Sequence, residues 1–329
     1  MACESAETTK PGEAAAAMAA CHLVGMPKSG TTLLLALLDG HPELQVFPEE
    51  LRFYGTAKGH DDGAARLLEG GALRLLARGA AEGLGGTRNY GHVDGAGLAA
   101  DIAALGARGL RDRALLEGIM ASWRDRSGSG VGTPRIWVEK SPGNEYFLPV
   151  ITGWFGRASA IVHMVRDPRD VFVSLSRARE SVGTPLDPET FATQWGFSAE
   201  IARDAARRYP GFQVVRYEDL AAEPRAVMIG LARGLGIAWD DRLLVPTRAG
   251  VPWRGNSMHD RTFAGVGADS VGLHREGLDD AARRVIEGRL ACAMRRHGYG
   301  PVAVGPRAMF DLARQRLRRM RWQRRMEAS

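Results

Sequence analysis

At 329 residues, with 45% hydrophobic and 25% charged side chains, the chain has the makings of a globular enzyme, either one elaborated domain or a domain with appendages. Its net charge of +6 lies in residues 306–329, where eight arginines face one aspartate and one glutamate; the rest is formally neutral, and no nucleic-acid partner is expected. Three cysteines (Cys3, Cys21, Cys292) offer neither a paired framework nor metal-ligand spacing, and no run approaches eighteen apolar residues, so a disulfide scaffold, a metal cluster and a membrane span are not expected.

In chain order, residues 1–20 read as a mobile leader rich in Ala, Glu and Thr. A signal peptide is rejected, because cleavage after the alanine run would destroy the loop that follows, and a cytoplasmic location is expected. A strand over 21–25 leads into Gly25-Met-Pro-Lys28-Ser29-Gly30-Thr31-Thr32 and a helix to about Leu38, ended by Gly40-His41-Pro42. Residues 58–126 form a helical insertion or lid, with leucines at helical spacing and a clear helix over 112–126. A glycine-rich linker precedes a strand near 135–138 and a helix near 144–155. Ala160–Val165 is a buried parallel strand, in which His163 is a core or sheet-edge histidine. Helices follow over 168–179 and 188–208, then a strand over 212–217 and a helix over 224–234. Residues 238–277 show little periodicity; helices near 279–297 and 306–325 close the chain. Strands alternating with helices predict an α/β, P-loop-like three-layer fold with a central parallel sheet flanked by helices.

The glycine loop has the Gly-x4-Gly spacing of a phosphate cradle, in which backbone N–H groups and a helix N-terminus converge on one anion. A P-loop lysine would stand where Thr31 does, reaching terminal phosphates; here the lysine is Lys28, within the loop, beside the first phosphate. A triphosphate is therefore disfavoured. A second anion site is read in Arg166 and Ser174, at the carboxyl end of the 160–165 strand and two turns into the next helix. Alone, Arg166-Asp167 is as readily a structural ion pair. Together, two phosphate sites without a triphosphate lysine describe a 3′,5′-bisphosphate nucleotide.

With these residues the chain resembles the sulfotransferases that use 3′-phosphoadenosine 5′-phosphosulfate. Pro27-Lys-Ser-Gly-Thr-Thr32 is similar to the family's 5′-phosphosulfate loop, Arg166 with Ser174 to its 3′-phosphate pair, and Tyr217-Glu-Asp-Leu220 to the segment whose tyrosine approaches the adenine. The enzymes for phenols and steroids place a histidine two residues after a lysine; Glu139-Lys140-Ser141-Pro142 has none. Glu49-Glu50-Leu51-Arg52 instead resembles the Glu-Glu-x-Arg of tyrosylprotein sulfotransferases, a layout shared by many bacterial enzymes, and Lys140, 26 residues before Arg166, matches their second catalytic lysine. The resemblance implies binding of the donor by Lys28, Ser29, Gly30, Thr31, Thr32, Arg166, Ser174 and Tyr217, and catalysis by Lys28, Lys140 and Glu50, without metal. Glu50 would take the acceptor's proton, best if burial lifts its pKa. A late basic residue over the 3′-phosphate is sought in a cofactor loop over 250–277, at Arg254, Arg261 or Arg275; His274 stands where relatives often carry tryptophan.

The acceptor class stays open among a small molecule, a glycan and a peptide, with determinants expected in 52–126 and 180–200. A P-loop small-molecule kinase and a silent nucleotide-binding module are the alternatives. In the basic tail, Phe310, Ala313, Leu317 and Met320 form an apolar stripe that either docks on the domain or rests on an anionic surface, docking being favoured.

Overall fold

The computed structural model describes residues 19–78, 90–128, 132–156, 159–253, 255, 266–300 and 305–327. Five strands, β1 (Ala19–Gly25), β2 (Leu44–Val46), β3 (Ile136–Lys140), β4 (Ser159–Val165) and β5 (Phe212–Arg216), form a sheet in the order β2-β3-β1-β4-β5. Every pairing is parallel, with Cys21 opposite Val138 on one side and Ala160 on the other. Parallel strands covered on both faces need apolar side chains at successive positions. Accordingly, β1 is buried from Ala20 to Gly25 and β3 throughout. The chain crosses from one side of β1 to the other between β3 and β4, which makes the carboxyl end of β1 the switch point where such sheets bind ligands.

The helices are α1 (Thr31–Leu38), α2 (Phe53–Thr56), α3 (Gly63–Glu69), α4 (Gly71–Ala77), α5 (Gly95–Ala107), α6 (Asp112–Arg126), α7 (Leu148–Phe155) and α8 (Pro168–Glu180). They continue with α9 (Pro188–Arg208), α10 (Tyr217–Ala222), α11 (Pro224–Leu235), α12 (His274–Gly277), α13 (Asp280–Arg296) and α14 (Pro306–Glu327). Residues at alternate positions of the strands face opposite layers. Ala20, Val24 and Trp137 join a core with α2–α6, whereas Cys21, Leu23 and Val138 pack against leucines of α1 and α11. A third core gathers α8, α9, α13 and Ala308 of α14. The result is the three-layer α/β/α architecture expected from the sequence.

Short elements differ from the reading of the sequence. β1 begins at Ala19, overlapping the last two residues of the expected leader, β2 is an added strand, Tyr217 starts α10 instead of ending β5, and the aperiodic 238–277 region holds a short hairpin and α12. The described residues of the 58–126 segment are largely helical and contribute buried leucines (Leu67, Leu73, Leu76, Leu98) to the first core. Within it, α6 is tied to β2, Trp123 Nε1 donating to the Val46 carbonyl at 2.9 Å and Gln45 Nε2 to the Met120 carbonyl at 3.0 Å.

The tail helix corrects the assigned stripe. α14 lies on the domain, but Phe310, Leu317 and Met320 are among its exposed residues, at 67%, 56% and 43%. The buried face is Ala308, Asp311, Leu312, Gln315 and Arg319, which have the same helical period rotated around the axis. Its charges meet carboxylates of α9: Arg319 lies 2.6 Å from Asp204 and Arg316 3.7 Å from Glu200.

Candidate functional site

The loop between β1 and α1 is built from unusual backbone. Gly25, Lys28 and Gly30 all have positive φ, at 134°, 68° and 98°. A side chain at Gly25 would place Cβ 2.5 Å from the Met164 carbonyl oxygen, and at Gly30 2.5 Å from the Tyr217 ring, so both positions require glycine. Ser29 is buried and closes the turn by donating from Oγ to the Met26 carbonyl at 2.6 Å. Helices α5, α8, α9 and α13 each begin with an aspartate that accepts from the first turn. Helix α1 has Gly30 at its N-cap and no side-chain cap, leaving its first N–H groups to a ligand.

Around this helix end, β2, β3, β4 and β5 deliver their next residues. Lys140, at the end of β3, is almost fully buried, and its Nζ donates to Glu50 Oε1 at 2.8 Å and to Thr32 Oγ1 at 3.2 Å. Glu50 also accepts from Arg52 at 2.9 Å, a mostly solvent-exposed contact that contributes little. The turn carrying Glu50 is pinned at Arg52, whose φ is 53° and whose N–H donates to Ser141 Oγ at 2.9 Å. Lys28 is half-buried, and its ammonium meets no hydrogen-bond partner among the described residues. Burial lowers its pKa, Glu50 opposes that and Arg166 reinforces it, so the three charges sense one another.

The electrostatics of Glu50 correct one expectation. Burial pushes its pKa up, but Lys140 and Arg52 together outweigh burial and hold the carboxyl below its ordinary value. It is an ionised partner of Lys140, not a carboxyl raised toward neutrality. Lys140 itself is lowered by burial despite Glu50.

Arg166 leaves the end of β4 and is buried against the loop. It donates to the Lys28 carbonyl at 2.8 Å and to the Ser270 carbonyl, and its guanidinium lies 4.6 Å from the centre of the Tyr217 ring. Its buried Nε has no partner among the described residues. Tyr217 is thus held between Gly30 and Arg166, whereas Ser174 stands half-buried in the second turn of α8. The late loop reaches this corner at 270–274, where buried Asp170 accepts from the N–H groups of Gly272 at 2.7 Å and His274 at 2.9 Å. Arg275 is exposed nearby; Arg254 and Arg261 lie outside the described residues.

Four residues escaped sequence reasoning. Arg248, buried in the hairpin of Thr247–Arg248 and Val251–Pro252, lies 3.6 Å from Glu49 and its charge reaches Lys140; nothing in its aperiodic surroundings signals this. Ser141 bridges the Arg52 N–H to Glu139, which also accepts from Asn144 Nδ2 at 2.7 Å. Burial raises Glu139 to about 7. Glu145, fully buried beneath the loop, accepts from the Gly25 N–H at 3.3 Å and Ser198 Oγ at 2.8 Å. Ser198 in turn meets His163 Nε2 at 3.1 Å, making His163 the core histidine expected.

Chemically, the open helix end, the unpartnered ammonium of Lys28 and the orphaned Arg166 Nε suit an anionic ligand, and no cluster of metal-ligating side chains exists among the described residues. A model of the sulfotransferase family matches residues 22–241. Among solved structures, the sulfotransferase domain of the Synechococcus PCC 7002 olefin synthase is 19% identical over 94% of this chain and 98% of that one, with a TM-score of 0.54, and shares the fold. A sulfotransferase domain from the curacin biosynthetic pathway (19% identity, 89% and 96% covered, TM-score 0.48) and mouse sulfotransferase SULT7A1 complexed with PAP (13%, 85% and 85%, 0.45) are more distant. No curated protein matches the chain.

Proposed function

We propose, since this chain belongs to the sulfotransferase family, that it moves a sulfuryl group from 3′-phosphoadenosine 5′-phosphosulfate to an acceptor hydroxyl or amine, with Glu50 as base. The observation that carries the reading is the meeting of Lys28, Lys140 and Glu50 at the uncapped start of α1. Lys28 to Thr32 would hold the 5′ side of the nucleotide, and Arg166 with Ser174 and Tyr217 the 3′ side. The 58–126 segment is read as a helical insertion or lid, 250–277 as the nucleotide loop, and 306–329 as a helix docked on the domain, its exposed stripe being free for weak contact with an anionic surface.

The donor supplies the sulfuryl group: in an in-line displacement like phosphoryl transfer, the acceptor oxygen or nitrogen bonds to sulfur as the bond from sulfur to the 5′-phosphate oxygen breaks, and adenosine 3′,5′-bisphosphate is the leaving group. The chain's residues manage charge. Lys28, lowered in pKa, is a ready proton donor to an oxygen gaining negative charge. Lys140 sits between Glu50 and the α1 helix end. An anion at that helix end competes with Glu50 for Lys140, and the weaker the pairing, the more burial governs the carboxyl. Glu50 then gains basicity where the acceptor must lose its proton.

The test is turnover on an acceptor found in a panel of hydroxyl and amine compounds, read as release of adenosine 3′,5′-bisphosphate. Lys28→Ala is expected to abolish it. Glu50→Gln should slow it about 100-fold or more while calorimetric affinity for the bisphosphate stays nearly unchanged. Full activity in Glu50→Gln would overturn the base. Magnesium-dependent ATP binding in place of bisphosphate binding would favour a kinase, and bisphosphate binding without any turnover a silent module.

A further inference from the structure

Beside the nucleotide loop lies a cleft of about 660 Å³, within the range of small-molecule sites. Its lining includes Met26 and Pro27, which immediately precede Lys28, and Pro142 and Gly143, which follow Lys140 and Ser141. The cleft therefore borders the segments that carry the two lysines. Its walls are aromatic. Tyr146 and Phe197 stack with ring centres 5.6 Å apart, and Trp322 of α14 meets Phe197 edge-on at 6.0 Å. All three are only half-buried, so apolar ring surface remains on offer.

Two arginines complete the lining, Arg179 from the end of α8 and Arg318 from α14. Both are exposed, and neither pairs with a carboxylate among the described residues, although Arg289, Arg307, Arg316 and Arg319 of the same region all do. Glu145, the acidic residue of the lining, is fully buried and already accepts from Gly25, Gly143 and Ser198. The cleft thus pairs an apolar aromatic interior with uncompensated positive charge.

We infer that this cleft, walled by the C-terminal helix, seats the acceptor, and that the acceptor has an apolar ring body and an anionic group bound by Arg179 and Arg318. The assignment rests on the sulfotransferase reading for the words acceptor and transfer. It extends that reading by naming the substrate class and by giving the tail a part in specificity. Aromatic walls favour a flat apolar body, and the guanidinium forks favour a carboxylate, sulfate or phosphate.

The test compares hydroxynaphthoate with naphthol, which share a ring body and a hydroxyl and differ in the carboxylate. Calorimetry with the full chain, in the presence of adenosine 3′,5′-bisphosphate, should show tighter binding of hydroxynaphthoate. Arg318→Gln and Arg179→Gln should each weaken that binding about tenfold and leave naphthol and the bisphosphate unaffected. Equal affinity for the two probes, no measurable binding of hydroxynaphthoate, or indifference to both substitutions overturns the assignment. Failure of the bisphosphate to bind, with hydroxynaphthoate still bound through Arg318, removes the sulfotransferase reading and leaves the anion-selective cleft standing.

Discussion

Glu139 and Glu50 are held at neighbouring points of one site, joined through Ser141 and the Arg52 N–H, yet titrate in opposite directions. Burial dominates Glu139 and raises it from 4.5 to about 7; counter-charges dominate Glu50 and lower it. The signs follow from linkage. The contribution of Glu139 to stability is fully present below about 4.5 and is lost as pH rises through about 7. Glu50 contributes above 4.5, and that is lost as pH falls through its lowered value. Glu139→Gln removes the first dependence, so the variant's melting temperature is expected to gain on the parent's as pH rises between about 4.5 and about 7. Parallel melting curves across that window would show that Glu139 does not titrate there. Lys28 stands out in the sequence by its place in the glycine loop, Glu50 and Lys140 only by resemblance to family motifs. The direction of the Glu50 shift is not legible there, because its partner Lys140 is 90 positions away and meets it only through the fold.

At the scale of elements, long apolar or strongly periodic segments were readable, and short ones were not. The run Ser159–Val165 and the helix Pro188–Arg208 announce themselves by pattern, whereas β2 has three residues and takes its identity from pairing with β3. Helix α14 misled for a different reason. Its apolar stripe stays exposed, and the face that is buried joins Ala308 and Leu312 to Asp311, Gln315 and Arg319, polar residues that read as solvent-facing. Leu312→Ala is therefore expected to cost about 2–4 kcal/mol in urea unfolding, and Leu317→Ala less than about 0.5 kcal/mol. The reverse order would restore the stripe drawn from sequence. The late loop depends equally on one side chain. Asp170 receives Gly272, the His274 N–H and His274 Nδ1 at 2.6 Å, and so fixes the segment whose Ser270 carbonyl meets Arg166. Asp170→Ala leaves those N–H groups without their acceptor, an expected loss of about 1–3 kcal/mol, with weaker bisphosphate binding by calorimetry. Unchanged affinity would mean that the loop takes no part in the nucleotide site.

Over the whole molecule, charge is distributed for assembly as much as for ligands. The formal excess of +6 in residues 306–329 suggests a tail waiting for an anionic partner, but α9 presents Glu189, Glu200 and Asp204 beneath it. Glu200 is the hub: it is 2% exposed and meets Arg203 of α9, Arg296 of α13 and Arg316 of α14. A buried carboxylate shared by three guanidinium groups links three helices, and removing its charge leaves them repelling one another. Because the arginines are partly exposed and can regain water, Glu200→Gln is expected to cost about 1–3 kcal/mol, less than a fully buried pair would. Salt distinguishes the cause. Screening acts on exposed charges far more than on buried ones, so the gap between variant and parent in urea unfolding should persist as ionic strength rises. A gap that closes in high salt would place Glu200 in contact with solvent and α14 on the domain by surface attraction alone. In that case the Arg318 and Trp322 wall of the aromatic cleft would be a loose one, and the acceptor's specificity would have to be written elsewhere.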